Sequence, residues 1–372
     1  MALALSGNLP VLSVERTVDL LSGSYMSLIN SKQSPKAFPS VMLWGPPGVG
    51  KSQAVRQIAA NIEAGTDKRV EVTDVRLLLF NPIDLRGIPV ASEDRTLAVW
   101  LKPKIFRMDE SDDTVNILFL DEISAAPQSV QAAAYQITLD RVVGEHKLPD
   151  NCIVIAAGNR VTDKSVSVKM PKALANRLLH IEIEGSFESW RKWAVSAGVN
   201  SKVLGYLSFR SDRLFGFDAT NDDLAFPTPR TWEMVSDILN NVMDDAVKMY
   251  PMIAGLVGAG QAIEFKTWCG VYDGLPSMDD VFSGRATDIP KSTDAIYALI
   301  SSMTVYASEH RYDVTAIGNS LSYAQKMPAD FAGLLLENYK AFDKDYGTFL
   351  RSVPEYADYS AKRGRLRNGN VQ

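Results

Sequence analysis

The sequence is poor in the residues that build disulfide frameworks and soft-metal centres. Its 372 residues include two cysteines, Cys152 and Cys269, and three histidines. Two cysteines so far apart form neither a disulfide-stapled scaffold nor the paired-ligand pattern of a zinc site. Cys152 lies in an apolar run, where a small buried side chain is expected instead of a reactive thiol. These counts exclude the disulfide-rich secreted folds.

Long apolar runs and an excess of positive charge are absent as well. No stretch approaches the roughly 18 apolar residues of a membrane-spanning helix, and the first residues lack the regions of a signal peptide. The net charge of −5 argues against coating nucleic acid through bulk electrostatics, although a local basic surface stays open. The composition, 46% hydrophobic and 22% charged, is that of a globular protein long enough for two or three domains. We expect a cytoplasmic protein with no membrane association.

The strongest signal present is a glycine-rich stretch at residues 45–52, which reads Gly-Pro-Pro-Gly-Val-Gly-Lys-Ser. It follows the apolar run Val41–Trp44 and precedes a helix-like stretch from Ser52 to Glu63. A strand, a glycine loop and a helix in this order are what a phosphate-binding P-loop requires. The glycines let successive N–H groups point into one cradle, and the helix start adds partial positive charge. The sequence therefore predicts a nucleoside triphosphate site.

Two side chains at the end of this loop have separate predicted roles. Lys51 is expected to reach the β- and γ-phosphates, and Ser52 to ligate Mg²⁺. A GTPase is disfavoured because no Asn-Lys-x-Asp segment is present to read guanine, so ATP and Mg²⁺ are the predicted cofactors. The residues of the loop expected to bind the nucleotide are Gly45, Pro46, Pro47, Gly48, Val49, Gly50, Lys51, Ser52 and Gln53.

An acidic pair follows a second apolar run. Residues 117–120 are consecutively apolar, as in a central parallel strand buried on both faces, and Asp121 and Glu122 come directly after them. The carboxyl ends of parallel strands are where ligands bind. Asp121 is expected to hold Mg²⁺ through its waters, and Glu122 to polarise the attacking water. The pattern alone also fits a strand with a polar cap, but its place after a P-loop favours catalysis.

Two more polar residues end predicted elements. Asn159 closes the buried run 151–158, where it is either a turn residue or a contact to the γ-phosphate or attacking water. The order of P-loop, acidic pair and polar strand end favours the second role. Arg177 ends a short predicted helix at 170–177 and precedes a predicted strand at 178–184. It is either a solvated cap or an arginine that reaches the γ-phosphate of a neighbouring subunit.

From residue 186 the pattern becomes helical. Arg230 follows Pro229 in the first turn of a predicted helix, where a cation is unfavourable unless an anion is met there, so we predict a phosphate contact. The last twelve residues are basic and rich in glycine and asparagine. The predicted domains are an N-terminal helix and linker at 1–37, an α/β ATPase domain at 38–185, a helical lid at 186–250, a helical C-terminal extension at 251–360 and a disordered basic tail at 361–372.

Together these residues resemble an AAA+ ATPase and, within that class, the MoxR-type branch that includes CbbQ/NorQ-like ATPases. The resemblance covers roughly residues 38–245. The Asp-Leu-x-Gly-x-Pro segment at residues 84–89 fits that branch in particular. The stretches that carry the wider resemblance are 45–52, 118–123, 131–141, 148–159 and 226–232.

The resemblance implies an α/β fold in which a doubly wound, mostly parallel sheet is followed by an all-helical lid and a helical extension. It also implies a ring, usually hexameric, with ATP between subunits. By the same resemblance Asn159 matches sensor 1, Arg177 the arginine finger and Arg230 sensor 2. The family has Arg followed by Phe where this chain has Leu after Arg177, so Arg160 and Arg141 stay open as alternative fingers.

The resemblance further implies inserted loops near a central pore, which residues 86–104 would hold, with Trp100 and Phe106 nearby. Members of this branch commonly act with a von Willebrand factor A-type partner to remodel or activate a protein target, sometimes inserting a metal. A motor of that kind, hydrolysing Mg-ATP, is the expected function. A nucleic-acid-stimulated motor of the branch-migration or restriction type is a second hypothesis. The net negative charge argues against it. A scaffold that binds ATP with little turnover is a third, against which the intact acidic pair argues.

Overall fold

The computed structural model describes residues 4–6, 9–160, 170, 175–216, 223–343 and 345–357. The chain divides into two compact units, of which the first ends at Ser186 and the second begins at Phe187. Residues 171–174, in the helix predicted at 170–177, and the predicted tail at 361–372 lie outside the described residues. In the part of the chain that is described, no helix combines the length and the apolar character needed to cross a bilayer.

A seven-stranded sheet forms the centre of the first unit. In spatial order its strands are β1 (Ala4–Ser6), β2 (Leu9–Ser13), β11 (Leu179–Glu184), β3 (Val41–Trp44), β10 (Cys152–Gly158), β7 (Thr114–Asp121) and β4 (Arg69–Arg76). All neighbouring pairs are parallel except β1 and β2. The central strands β3, β10 and β7 are buried almost throughout, as their consecutive apolar residues require.

Helices cover both faces of this sheet. Helix α1 (Val14–Asn30) packs against α2 (Lys51–Gly65), and α2 contacts β4, β7 and β10. Helix α4 (Gln128–Asp140) buries its apolar residues against the strand residues Met42, Leu118 and Val154 in one core. A parallel sheet with helices on both faces is the doubly wound α/β fold, so this prediction is confirmed.

Two hairpins and a short helix are inserted around this frame. Helix α3 (Pro82–Arg86) leads into an antiparallel hairpin of β5 (Ile88–Ala91) and β6 (Ala98–Leu101), which lies where inserted loops were expected. A smaller hairpin of β8 (Val142–Val143) and β9 (His146–Lys147) follows α4. Within the insertion Trp100 is half-buried, whereas Phe106 is fully buried in the core and is not a surface residue.

The N-terminal segment is more than the helix and linker predicted for residues 1–37. Helix α1 is present, but Leu9–Ser13 form β2, which pairs in parallel with β11 and extends the sheet. A five-residue run with a proline at its second position is a weak strand signal. The backbone of β11 provides the partner that the local sequence does not reveal.

The second unit is helical in its described residues, as predicted. One apolar core extends from Trp190 to Val353, so residues of the predicted lid and of the predicted extension pack together. Near its centre Tyr206, Trp232 and Phe265 are fully buried, with ring centroids 5.3–5.5 Å apart. The helices are α5 (Phe187–Ser196), α6 (Ser201–Phe209), α7 (Pro229–Asn241), α8 (Tyr250–Val257), α9 (Ala259–Cys269), α10 (Met278–Phe282), α11 (Thr293–Glu309), α12 (Val314–Ala324), α13 (Ala329–Lys340) and α14 (Tyr346–Ser352).

Candidate nucleotide-binding site

The loop between β3 and α2 takes a backbone path that its glycines permit. Gly48 and Gly50 have φ angles of +75° and +105°, which residues with a Cβ rarely adopt. A Cβ on Gly45 would lie 2.8 Å from the carbonyl oxygen of Ile183, so a larger residue would force the loop to move. Gly50 begins α2 without a side-chain cap. The first N–H groups of the helix therefore suit a phosphate, as the sequence predicts.

Lys51 is held between this loop and the neighbouring strand. Its Nζ donates hydrogen bonds to the carbonyl oxygens of Gly45 at 2.7 Å and Pro46 at 3.0 Å, and to Oδ1 of Asn159 at 2.9 Å. Its side chain is buried. An ammonium fixed at the mouth of a glycine loop is suited to bridging phosphate oxygens.

Ser52 and Asp121, the two predicted Mg²⁺ ligands, are in direct contact. The Ser52 hydroxyl donates to Oδ2 of Asp121 at 2.9 Å, and the other carboxylate oxygen accepts from the backbone N–H of Glu122, also at 2.9 Å. A hydroxyl and a carboxylate are hard oxygen ligands of the kind Mg²⁺ takes. Among the described residues no three His, Cys, Asp or Glu side chains form a metal cluster.

Glu122 follows Asp121 in a left-handed backbone conformation, with φ of +58°. Its side chain is exposed, whereas Ile123, the next residue, is buried and donates its N–H to the carbonyl of Ala157 at 3.0 Å. A positive φ is unfavourable for a residue with a long side chain and is found most often at functional sites. The strand end therefore presents a carboxylate to solvent beside the Mg²⁺ ligands, where a general base is needed.

Asn159 is fixed by its backbone as well as by its side chain. Its N–H donates to the hydroxyl of Ser124 at 2.9 Å, while its Oδ1 accepts from Lys51. Ser124 is a site residue that the sequence reasoning missed, although its position directly after Asp-Glu-Ile was the available signal. Gly158 is constrained beside it, because a Cβ there would lie 2.9 Å from the Ser124 hydroxyl.

A further carboxylate, also missed, lies on the neighbouring edge strand. The pKa of Asp74 is raised by desolvation and then by the charge of Asp121, while Arg76 and Arg56 act in the opposite direction. Arg76 pairs in register with Asp121 across β4 and β7. Burial and the negative charge of Asp121 both disfavour the ionised form of Asp74.

The three candidate finger arginines differ in their surroundings. Arg141 is buried, and its guanidinium donates to the carbonyl oxygens of Cys152 at 2.6 Å and Phe38 at 3.1 Å. Arg160 forms an ion pair with the buried carboxylate of Glu182. Arg177 is exposed, and its side chain makes no hydrogen bond or ion pair within the described part of the chain. Of the three, Arg177 has the exposure that a contact to another subunit needs.

Arg230 belongs to the helical unit. It is exposed in the first turn of α7, directly after Pro229. The Thr228 hydroxyl accepts from the N–H of Thr231 at 3.1 Å, and the Thr231 hydroxyl accepts from the N–H of Thr228 at 2.8 Å, which caps the helix. Arg230 therefore lies in the first helical turn as predicted, and its contact to phosphate stays a prediction.

Comparison with known proteins supports the assignment of the first unit. The family described as "ATPase family associated with various cellular activities (AAA)" matches residues 41–183, whereas no curated protein matches the chain. The chain is also similar to solved structures at low identity and low TM-score. PCH-2 of C. elegans is 13% identical over 71% of this chain and 69% of its own, with a TM-score of 0.35.

A point mutant of RuvB from Thermotoga maritima is 14% identical over 82% of this chain and 86% of its own, with a TM-score of 0.35. NtrX of Brucella abortus is 13% identical over 86% of this chain and 68% of its own, with a TM-score of 0.33. The residues that match this family, 41–183, contain the P-loop, the acidic pair and Asn159.

Proposed function

We propose that the protein is a ring-forming motor that hydrolyses Mg-ATP to remodel or activate a protein target, in the manner of the MoxR-type branch. One observation carries this proposal. Three neighbouring parallel strands, β3, β10 and β7, bring five polar residues together at their carboxyl ends. These residues are Lys51, Ser52, Asp121, Glu122 and Asn159. The carboxyl ends of the parallel strands are where a P-loop ATPase hydrolyses its nucleotide.

Each residue has a distinct task in hydrolysis. The loop N–H groups and Lys51 hold the phosphates, and Ser52 with Asp121 would hold Mg²⁺. The ion, when bound, neutralises charge on the phosphate oxygens. Glu122 would orient a water and accept its proton, and Asn159, which lies beside Lys51, would add a polar contact to the reacting groups. Arg177 of a neighbouring subunit supplies positive charge as the terminal phosphate departs, so hydrolysis requires assembly.

The first test compares nucleotide binding with turnover. We expect Glu122→Gln to bind ATP as the unchanged protein does while losing nearly all turnover, because the amide accepts no proton. Lys51→Ala should lose binding itself. Glu63→Gln, which alters a carboxylate at the far end of α2, is the matched control. Normal hydrolysis by the Glu122→Gln protein would refute the assignment.

The second test concerns assembly and the class of target. Turnover per subunit should rise with protein concentration and should fall in Arg177→Ala, since the finger acts between subunits. Mass photometry of the Glu122→Gln protein with ATP should show a ring, for which we propose six subunits. Single- or double-stranded DNA should leave turnover unchanged. A several-fold acceleration by DNA would instead place a nucleic-acid motor first.

The inserted hairpin favours a protein target over a phosphate backbone. Its exposed side chains include three large apolar ones, with Ile88 58%, Leu97 69% and Leu101 55% exposed, and a single arginine, Arg95, which lies close to Glu93 and Asp94 in the sequence. Apolar groups bind apolar protein segments, whereas nucleic-acid sites need lysine and arginine along the backbone track. A von Willebrand factor A-type partner and a cytoplasmic location belong to the same proposal and follow from the resemblance. Co-purification with a co-expressed protein of that type is the corresponding measurement.

A further inference from the structure

A chain of hydrogen bonds leads from the strand before the P-loop to the turn that carries Arg177. Trp44 ends β3 and directly precedes Gly45, and its indole Nε1 donates to Nδ1 of His180 at 2.9 Å. The other ring nitrogen of His180, Nε2, lies 2.7 Å from the carbonyl oxygen of Ala175. The two rings are stacked, with centroids 6.0 Å apart and planes 16° from parallel. His180 therefore links the P-loop strand to a point two residues before Arg177.

The partners of His180 determine which ring nitrogen carries the proton, and they also fix the orientation of the ring. An indole N–H can only donate, so Nδ1 must accept; a carbonyl oxygen can only accept, so Nε2 must carry the proton. These two partners therefore assign the ring proton to Nε2. Turning the ring over would break both bonds. The ring thus holds the Ala175 carbonyl at one distance from Trp44.

The Ala175 carbonyl is also the start of the turn. It accepts from the N–H of Leu178 at 3.4 Å, which closes a turn in which Asn176 and Arg177 are the two exposed residues. Leu178 is buried, so the far side of the turn is anchored in the core. The turn is held at both ends while its arginine faces solvent.

A second polar contact engages the nearest alternative arginine, so that arginine takes no part in the hydrogen bonds of His180. Glu182 pairs in register with Trp44 across β11 and β3, and its buried carboxylate forms the ion pair with Arg160. Arg160 is therefore engaged beside Trp44, while the contact through His180 ends at the turn of Arg177.

We propose that His180 is a positioning residue for Arg177, which it sets in place by bracing the 175–178 turn against Trp44. This inference rests on the proposed function, since it requires Arg177 to act on the nucleotide of a neighbouring subunit. A finger works only if its guanidinium reaches the transferring phosphoryl group in the correct place, and a displacement of about 1 Å costs on the order of a hundredfold in rate. The same hydrogen bonds connect the P-loop strand of each subunit to the arginine which that subunit would place in its neighbour's site.

The test separates the hydrogen bonds from the packing of the ring. His180→Phe keeps an aromatic ring against Trp44 but has no polar atom. It should lower kcat about tenfold or more and change the KM for ATP by less than about twofold, because ATP binding does not use the finger. His180→Gln offers an amide oxygen to the indole and an amide N–H to the Ala175 carbonyl, and should restore most of the loss.

A matched control is available in the helical unit. His310 stacks on Tyr306 with centroids 4.4 Å apart and planes 13° from parallel, and its Nδ1 lies 2.9 Å from the Tyr306 carbonyl oxygen. His310→Phe should leave kcat and KM unchanged. An equal loss of kcat in this variant would show that replacing any stacked histidine harms the protein, and would overturn the specific role of His180.

A double variant shows whether His180 acts through the arginine. In an Arg177→Ala background, His180→Phe should cause no further loss of kcat, because the group that it positions is already absent. A further loss as large as in the unchanged protein would overturn the proposal.

Hydrogen exchange measures the brace without reference to activity. The peptide spanning residues 175–183 should exchange faster in His180→Phe than in the unchanged protein or in His180→Gln, and an unchanged rate would overturn the brace. If Arg177→Ala retains full turnover, the finger assignment of the proposed function fails. In that case exchange in the same peptide still decides separately whether His180 holds the turn.

Discussion

The ammonium of Lys51 lies 2.9 Å from Oδ1 of Asn159, a residue 108 positions further along the chain. The contact exists because β3 and β10 are adjacent parallel strands, with Trp44 and Gly158 in register at their carboxyl ends. The phosphate-binding lysine and the polar end of the neighbouring strand are therefore one unit. A nucleotide that draws Lys51 toward its phosphates must also change the hydrogen bonding of Asn159.

Asn159→Ala should separate catalysis from binding. The P-loop keeps its lysine and its N–H groups, so we expect ATP affinity within about threefold of the unchanged protein, while turnover falls about tenfold to a hundredfold because one polar group around the reacting phosphate is lost. Equilibrium binding of a fluorescent ATP analogue and steady-state phosphate release measure the two quantities. Asn241→Ala, at the exposed end of α7, is the control. Loss of binding in Asn159→Ala would show that the residue supports the loop instead of the reaction.

Arg141→Met should affect stability instead of catalysis. Its buried guanidinium donates to the carbonyls of Cys152 and Phe38, and removing a charged donor leaves both acceptors without it, which costs about 2–4 kcal/mol. Denaturant unfolding followed by circular dichroism should show the loss in the first unit's transition. Arg177→Met, an exposed position, should change the unfolding free energy by less than about 0.5 kcal/mol. Equal stability of the two variants would contradict the structural role of Arg141.

Local sequence patterns predicted the part of the site that each element carries by itself. The P-loop, with Lys51 and Ser52, and the acidic pair after β7 are visible in consecutive residues. A glycine loop or the end of a buried strand requires particular residue types at a few adjacent positions, so the sequence shows it directly. The buried strands followed from the same runs, whereas the doubly wound sheet was what the family resemblance implied. Asn159 was predictable from its place after a buried strand.

Contacts between distant segments were not predictable in this way. Ser124 binds the backbone of Asn159 from another strand end, and the Trp44–His180 contact spans 136 positions. Nothing in the sequence near Arg141 indicates burial, and Leu9–Ser13 become a strand only because β11 offers a free edge. Tertiary partners decide these features, and one sequence without its relatives does not show them.

Two glycines should respond to alanine in opposite directions. A Cβ on Gly158 would lie 2.9 Å from both Met42 Cε and Ser124 Oγ, so Gly158→Ala should lower the unfolding free energy by about 1–3 kcal/mol. Gly23 lies on the exposed face of α1 and has no atom within 4 Å of its added Cβ. There alanine favours the helix, and Gly23→Ala should raise the unfolding free energy by about 0.5–1 kcal/mol. Denaturant titration of both variants tests the pair, and a shift of the same sign in both would contradict the packing described here.

The thiols should be inert while the protein is folded. Burial raises the pKa of Cys152 to about 12 and that of Cys269 to about 12. At pH 8 the reactive thiolate is then on the order of one part in ten thousand at each site. Iodoacetamide at that pH should neither label the folded protein within an hour nor reduce its turnover, whereas both thiols should react in guanidinium chloride. Rapid labelling of the folded protein, read by mass spectrometry, would contradict this burial.

The same shift gives a dependence of stability on pH. The folded Cys152 thiol keeps its proton to a higher pH than the unfolded thiol does, so this group's contribution is complete below the unfolded pKa, about 8.5, and is lost as pH rises toward 12. The unfolding free energy should therefore fall between about pH 9 and 11. The fall should be smaller in Cys152→Ala. An identical slope in the two proteins would show that other groups cause it.

Under the proposed function, the exposed hairpin should determine how ATP turnover responds to a protein target. Leu97, at the end of the β5–β6 connection, is 69% exposed, and burying such a side chain in a complex contributes about 1.5–3 kcal/mol. Leu97→Ser should leave basal turnover unchanged, but should raise by about tenfold the concentration of an unfolded probe protein, such as reduced casein, that gives half-maximal stimulation. Val242→Ser, which alters an apolar side chain 64% exposed in the helical unit, should change neither quantity. Equal stimulation of all three proteins would remove the hairpin from the target-binding surface and leave the ATPase assignment intact.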